Sequence, residues 1–159
     1  MAFYAQEKKV DPCEYRVPRN FKLLDELENA EKGKYTEIFQ HYGQDVHMVT
    51  LGLDGQDSTF TDWNASIIPH QGGYIGDRIY QLRIKCGAGY PDDPPQIRFV
   101  QKVNLKCVNN QGVVDLSKVD NFEWNRESYL FEALLKIRAT MKPNHVAQAC
   151  AQIPAGKTY

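Results

Sequence analysis

No apolar run in this chain exceeds five residues, and a helix that crosses a bilayer needs roughly 20, so no membrane-spanning segment is expected. Residues Met1 to Val10 also lack the apolar stretch of a secretory signal, which predicts an intracellular protein, cytoplasmic and nuclear, with no membrane partner. Charge of one sign is missing as well: 19 basic against 20 acidic residues leave a net charge of −1. Without a basic excess, nucleic acid is not an expected partner. The four cysteines, Cys13, Cys86, Cys107 and Cys150, form no C-x-x-C pair, which argues against a zinc knuckle or a thioredoxin-type site and for reduced thiols near a core. His41, His47, His70 and His145 lack metal-ligand spacing, and G-x-S-x-G, H-E-x-x-H and G-x-G-x-x-G are absent. The closing Gly156-Lys157-Thr158 has Ala151 where a phosphate-binding loop needs glycine. No metal and no cofactor is expected.

What is present suffices for one core. The 159 residues, 42% hydrophobic and 11% aromatic, fit one domain of ordinary size. Residues 1–16 mix charge with Pro12 and have no period, so they are expected to be a flexible N-terminal arm ahead of a domain at 17–159. Phe21, Leu23, Leu24 and Leu27 form an apolar stripe, predicting a short amphipathic helix that ends near Gly33, with Asn20 as N-cap after Pro18. Lys34 to Asp45 has no clear period and is read as a loop.

Four strand-like segments follow. Val46 to Leu53 ends at the turn dipeptide Asp54-Gly55, and Thr61 to Ile68 stops at Pro69. Ile79 to Cys86 alternates, with Tyr80, Leu82, Ile84 and Cys86 on one face, and Gln96 to Val100 is entered from Pro94-Pro95. Short links between consecutive strands predict an antiparallel meander, hence an α+β fold. Gln101 to Asn125 has no period, and loops of that length are usually functional. Ser128 is expected to cap a long helix carrying Leu130, Leu134, Ile137 and Met141 and closed by Pro143, with a short helix from Asn144 to Ala151 after it.

This order of pieces, with the tract Gly89-Tyr90-Pro91-Asp92-Asp93-Pro94-Pro95-Gln96-Ile97-Arg98-Phe99, resembles the ubiquitin-conjugating fold, whose signature is a tyrosine-proline, a proline pair and an aromatic on the fourth strand. The resemblance covers about Val17 to Met141 and implies an N-terminal helix, a four-stranded antiparallel meander and a long C-terminal helix, without the last two helices that active members usually add. In an active member the long loop carries His-Pro-Asn and, eight residues later, the cysteine that forms a thioester with ubiquitin. Aligning on Lys102-Val103 and Gly112 puts Leu105-Lys106-Cys107 at the tripeptide, so that Cys107 stands at the oxyanion-asparagine position, and puts Asp115 at the nucleophile position. Thioester chemistry needs a thiolate and a donor to the developing oxyanion, and a carboxylate at 115 supplies neither. The resemblance therefore implies no catalytic residue.

Within that family, Val17 to Leu27, Asp77-Arg78-Ile79-Tyr80 and the closing Gly156 to Tyr159 are similar to the inactive variants that pair with an active ubiquitin-conjugating enzyme. Such a heterodimer holds an acceptor ubiquitin so that chains form through ubiquitin lysine sixty-three. The resemblance assigns partner binding to Val17, Pro18, Arg19, Asn20 and Phe21, and ubiquitin binding to Thr50, Asn64 and Ile79. Ile79 lies off the core register of its strand, which favours exposure over sheet packing. Phe21 is either a docking anchor or a staple of its helix to the core. Two departures stand out: about ten extra residues between Leu27 and Gly52, within 31–45, and Asn64-Ala65-Ser66 where threonine, glycine and a larger apolar residue are expected. Two other readings are an active enzyme using Cys107 and a stand-alone ubiquitin- and peptide-binding module of the endosomal-sorting type.

Overall fold

Helix α1, Arg19–Glu31, forms because Leu23, Glu26 and Asn29 repeat at three-residue steps and bury one face, with Leu27 and Ala30 packed beside them. The computed structural model describes residues 18–55, 59–69, 79–103, 105–141 and 158. Outside them lie the expected arm, Val17, Asp77-Arg78, Cys13, Cys150, Pro143, the helix expected at Asn144 to Ala151, and the residues that bear on any further C-terminal helices. Two details of α1 differ from expectation. Pro18, not Asn20, stands at the N-cap in extended conformation, and its carbonyl accepts the Lys22 amide at 3.1 Å. Asn20 is drawn into the first turn, where its carboxamide oxygen accepts from Arg19. Leu23 rather than Leu24 fills the core, and Leu24 is partly exposed.

The stretch expected as a loop at Lys34 to Asp45 is folded. Helix α2, Tyr35–Ile38, runs into a 3-10 segment, Gln40–Met48, kinked at Gly43, whose φ of +62° favours glycine. Tyr35, Phe39 and Val46 point into the core. The Tyr35 ring stacks on Phe131 with centroids 4.2 Å apart, and Phe39 meets Tyr129 edge-on at 5.8 Å. One turn of helix has no stability of its own in water, and these distant rings supply it. Val46 to Met48 are consequently withdrawn from the first strand.

The sheet is an antiparallel meander of β1 (Val49–Leu53), β2 (Asp62–Ile67), β3 (Tyr80–Lys85) and β4 (Gln96–Phe99) in the order β1-β2-β3-β4. The pleat sends Trp63, Ala65 and Ile67, then Tyr80, Leu82 and Ile84, then Ile97 and Phe99 to the inner face. Helix α3, Leu130–Thr140, covers that face and is buried almost all round, because the 35–46 segment packs on its far side. Arg138 ties the two together: its Nε donates to the Ile68 carbonyl and its Nη1 to Asp45, each at 2.7 Å.

Ser128 does not cap α3. Its hydroxyl accepts the Asn125 amide at 3.1 Å, closing the preceding turn, and Tyr129 is the extended residue at the helix start. The cap comes from Glu26, whose Oε1 accepts the Leu130 amide at 2.6 Å across 104 residues while Oε2 accepts the Tyr35 hydroxyl. Glu26 is fully buried. Burial raises its pKa from 4.5 to about 7, although the Tyr35 hydroxyl, the Leu130 amide and Lys22 pull the other way. A carboxyl that binds its proton more tightly folded than unfolded stabilises fully below the unfolded pKa and loses that contribution as pH rises through the folded one. The chain should therefore lose on the order of 3 kcal/mol between pH 4.5 and 8 from this group. Glu26→Gln, which keeps the acceptor for Leu130, should flatten that slope in denaturant titrations across the range, and parallel slopes would remove Glu26 as the source.

Candidate functional site

The long loop after β4 folds back so that an isolated bridge joins Val113 to Arg98, and the Val114 amide donates to the Ile97 carbonyl at 2.8 Å. Between this loop and the proline tract lies a groove of about 820 Å³, lined by Pro95, Val108, Asp115, Phe122 and Trp124 among others. The tract forms its back wall. Trp124 Nε1 donates to the Pro91 carbonyl at 2.8 Å, its ring lies 5.6 Å from that of Tyr90, and Arg126 pairs with Asp92 at 2.7 Å.

Asp115 is exposed in this groove and occupied with a turn. Its Oδ1 accepts the Ser117 amide at 3.0 Å and the Ser117 hydroxyl at 2.6 Å, opening a 3-10 turn at Leu116–Lys118. The Ser117 hydroxyl and then its amide hold the carboxyl below its ordinary pKa, so it is an anion and an acceptor at neutral pH. Cys107 contributes its backbone carbonyl to the Asp115 amide at 2.7 Å, while its thiol is buried 4.0 Å from the Thr140 hydroxyl. Burial pushes that thiol's pKa up, and the contact with Thr140 only partly opposes this. Cys86 is buried too, with its pKa raised to about 12 by burial first and then by Glu26. A nucleophilic cysteine needs exposure and a stabilised thiolate, and these two have neither. Among the described residues no cluster of His, Cys, Asp and Glu is arranged to hold a metal ion.

The residues assigned to partner binding divide by role. Phe21 is 65% exposed on the outer side of α1, with Leu24 one turn further along. Leu23 does the stapling that Phe21 was a candidate for. Pro18 and Asn20 are exposed beside Phe21, whereas all the donors of Arg19 are bound within the chain.

Thr50 and Asn64 lie on the outer face of the sheet, around a shallow depression of about 450 Å³. The register sets Thr50 opposite Ser66 and Asn64 opposite Arg83. Thr50 and Ser66 join hydroxyls at 2.8 Å. Asn64 Nδ2 donates to Asp54 at 3.1 Å while its Oδ1 accepts from Arg83 at 2.5 Å, so its carboxamide is occupied on both sides. Ile79 is 60% exposed, and so to a lesser degree is Ile68; the two stand one residue beyond the last β2–β3 pair, Ile67↔Tyr80. Sequence reasoning missed Ser66, Ile68 and Arg83. Strand alternation carried the signal, since 64, 66 and 68 share a face, but the pairing between strands was needed to bring them to Thr50 and Ile79.

The ubiquitin-conjugating enzyme family model matches residues 26–159. The chain is 40% identical over 146 residues to a ubiquitin-conjugating enzyme E2 variant 1D of Arabidopsis thaliana, covering 90% of this chain and 92% of that protein. It is 39% identical over 127 residues to the ubiquitin-conjugating enzyme variant MMS2 of Saccharomyces cerevisiae, covering 79% and 86%. This chain belongs to the ubiquitin-conjugating enzyme variants. Solved structures agree on the fold: human ubiquitin-conjugating enzyme E2 G1 superposes with a TM-score of 0.61 at 17% identity over 80% of this chain and 98% of that one. Another, at 0.61, 20% identity and 79% of each chain, is the H. polymorpha enzyme Pex4p, solved with the soluble domain of Pex22p. The fold is therefore the ubiquitin-conjugating fold.

The burial of the Cys86 and Cys107 thiols is testable without a substrate. Native alkylation with iodoacetamide should leave Cys86 and Cys107 unmodified, and denatured protein should label at both, as read by peptide mass spectrometry.

Proposed function

We propose that this variant is the non-catalytic subunit of a heterodimer with an active ubiquitin-conjugating enzyme, in cytoplasm and nucleus, and that it holds an acceptor ubiquitin so that its lysine sixty-three reaches the partner's thioester. The observation that supports this best is a pair of outward apolar anchors, Phe21 and Ile79, on a scaffold whose groove presents the exposed Asp115 carboxylate. Exposed aromatic and aliphatic anchors are what a modest protein interface uses at its centre. An acceptor amine held in line with a thioester reacts as if intramolecular, and lysines held elsewhere are out of reach. Linkage choice then needs two binding faces and no catalytic group on this chain.

On this reading Phe21 enters a pocket of the active enzyme. The acceptor face is centred on Ile79 with Ile68 beside it, and Thr50, Ser66 and Asn64 contribute polar edges. The stand-alone endosomal-sorting reading makes no use of Phe21, and no described feature favours it.

Chain assembly with ubiquitins that carry one lysine each tests the proposal: product should require both proteins and lysine sixty-three. Ile79→Ala should weaken acceptor binding by about 1–3 kcal/mol and slow synthesis at limiting ubiquitin, with rescue at high ubiquitin. Phe21→Ala should lose about 2–4 kcal/mol of partner affinity, roughly 30- to 1,000-fold, at an unchanged melting temperature. Supplied with activating enzyme and ATP, the chain alone should form no ubiquitin adduct sensitive to reductant on a non-reducing gel.

A further inference from the structure

Arg19 is the first residue of α1, where the helix dipole disfavours a cation, and no acidic side chain in the first turn compensates. Its guanidinium has five N–H donors, and each meets an acceptor of its own chain. Nε donates to the Gly87 carbonyl at 3.0 Å; Nη1 to the Asn20 side chain at 2.7 Å and the Thr59 carbonyl at 2.9 Å; Nη2 to the Cys86 carbonyl at 2.9 Å and the Thr61 hydroxyl at 3.3 Å. These acceptors come from the helix itself, from the residues leading into β2 and from the end of β3. No donor remains for a partner protein.

Resting on the heterodimer reading, we propose that Arg19 is a positioning residue for the partner face: it fixes the first turn of α1 to the sheet and so holds Phe21 outward, two residues away, without touching the partner. The physical reason is preorganisation. Helix ends fray, and an anchor on a fraying turn loses conformational freedom when it docks, which weakens binding. A planar fork with five fixed donors suppresses fraying in a way that a lysine ammonium with three donors does not reproduce. The conformation at Pro18 contributes to the same end, since its ring fixes φ just ahead of the helix.

The test is a double-mutant cycle on the full chain. Active ubiquitin-conjugating enzymes of the same organism are titrated calorimetrically, and the one that binds wild type is kept as the probe. Arg19→Gln should weaken its binding about tenfold, Arg19→Lys less, and Arg19→Gln in the Phe21→Ala background should add nothing, because an anchor that is gone no longer needs positioning. Faster amide exchange at Lys22, whose N–H is bonded to Pro18, should accompany the loss in the free protein. Additive losses would overturn the proposal in favour of a direct contact by Arg19. Full affinity in Arg19→Gln would reduce the cluster to a fold clamp and likewise overturn it, with the heterodimer intact as long as Phe21→Ala still weakens binding. If no active enzyme binds wild type, or Phe21→Ala binds normally, the heterodimer reading falls and this proposal with it. Should Arg19→Gln not fold, Arg19→Lys carries the same cycle.

Discussion

One buried carboxyl group joins the three helical pieces. Glu26 on α1 accepts the Tyr35 hydroxyl from α2 and the Leu130 amide that opens α3, so a single side chain sets the relative position of elements more than a hundred residues apart. A carboxyl is an expensive group to bury in its charged form, and burial accordingly raises its pKa to about 7, while its oxygens answer the Tyr35 hydroxyl and the orphan amide at the start of the most buried helix. Replacing it by leucine would leave the Leu130 amide without its partner and the Tyr35 hydroxyl with only the carbonyl of residue 26, at 3.3 Å. The outer face of α1, and with it Phe21, inherits its placement from this joint on one side and from Arg19 on the other.

The sheet is the second organising constraint. Its inner face is committed to α3 by Trp63, Leu82, Ile84 and Phe99, which leaves the outer face to be shaped by pairs across strands. There the side chains are polar, Thr50 with Ser66 and Asn64 with Arg83, and the larger apolar groups stand at one end as Ile68 and Ile79. The groove around Asp115 is built from the proline tract, Trp124 and the returning loop, and the Asp115 carboxylate serves the loop's own turn.

The elements legible in advance were those whose signal is local. Strand alternation from Tyr80 to Cys86 predicted the inner face residue by residue, and the turn pair Asp54-Gly55 and the proline tract marked where strands stop and start. The helix caps were misread at both helices because Asn20 and Ser128 are good caps by type, yet each had a competing local bond, to Arg19 and to Asn125. The 34–45 stretch escaped because its order comes from rings on α3, and no periodicity in a single helical turn announces such partners.

The sequence by itself determined the α+β order of elements, the inward face of β3 and the family to which the chain is similar. The first two follow from spacing and alternation, which act over a few positions and survive without knowledge of the fold, and the third rests on the resemblance carried by the proline tract. Only the tertiary structure decided that Glu26 caps a distant helix, that Arg19 turns its donors inward while Phe21 turns outward, that Ser66 and Ile68 join Thr50 and Ile79 on one face, and that Tyr35 and Phe39 belong to the core. Each of these depends on where a side chain's partner lies in space, and a buried polar group takes the nearest satisfying partner whatever its distance along the chain.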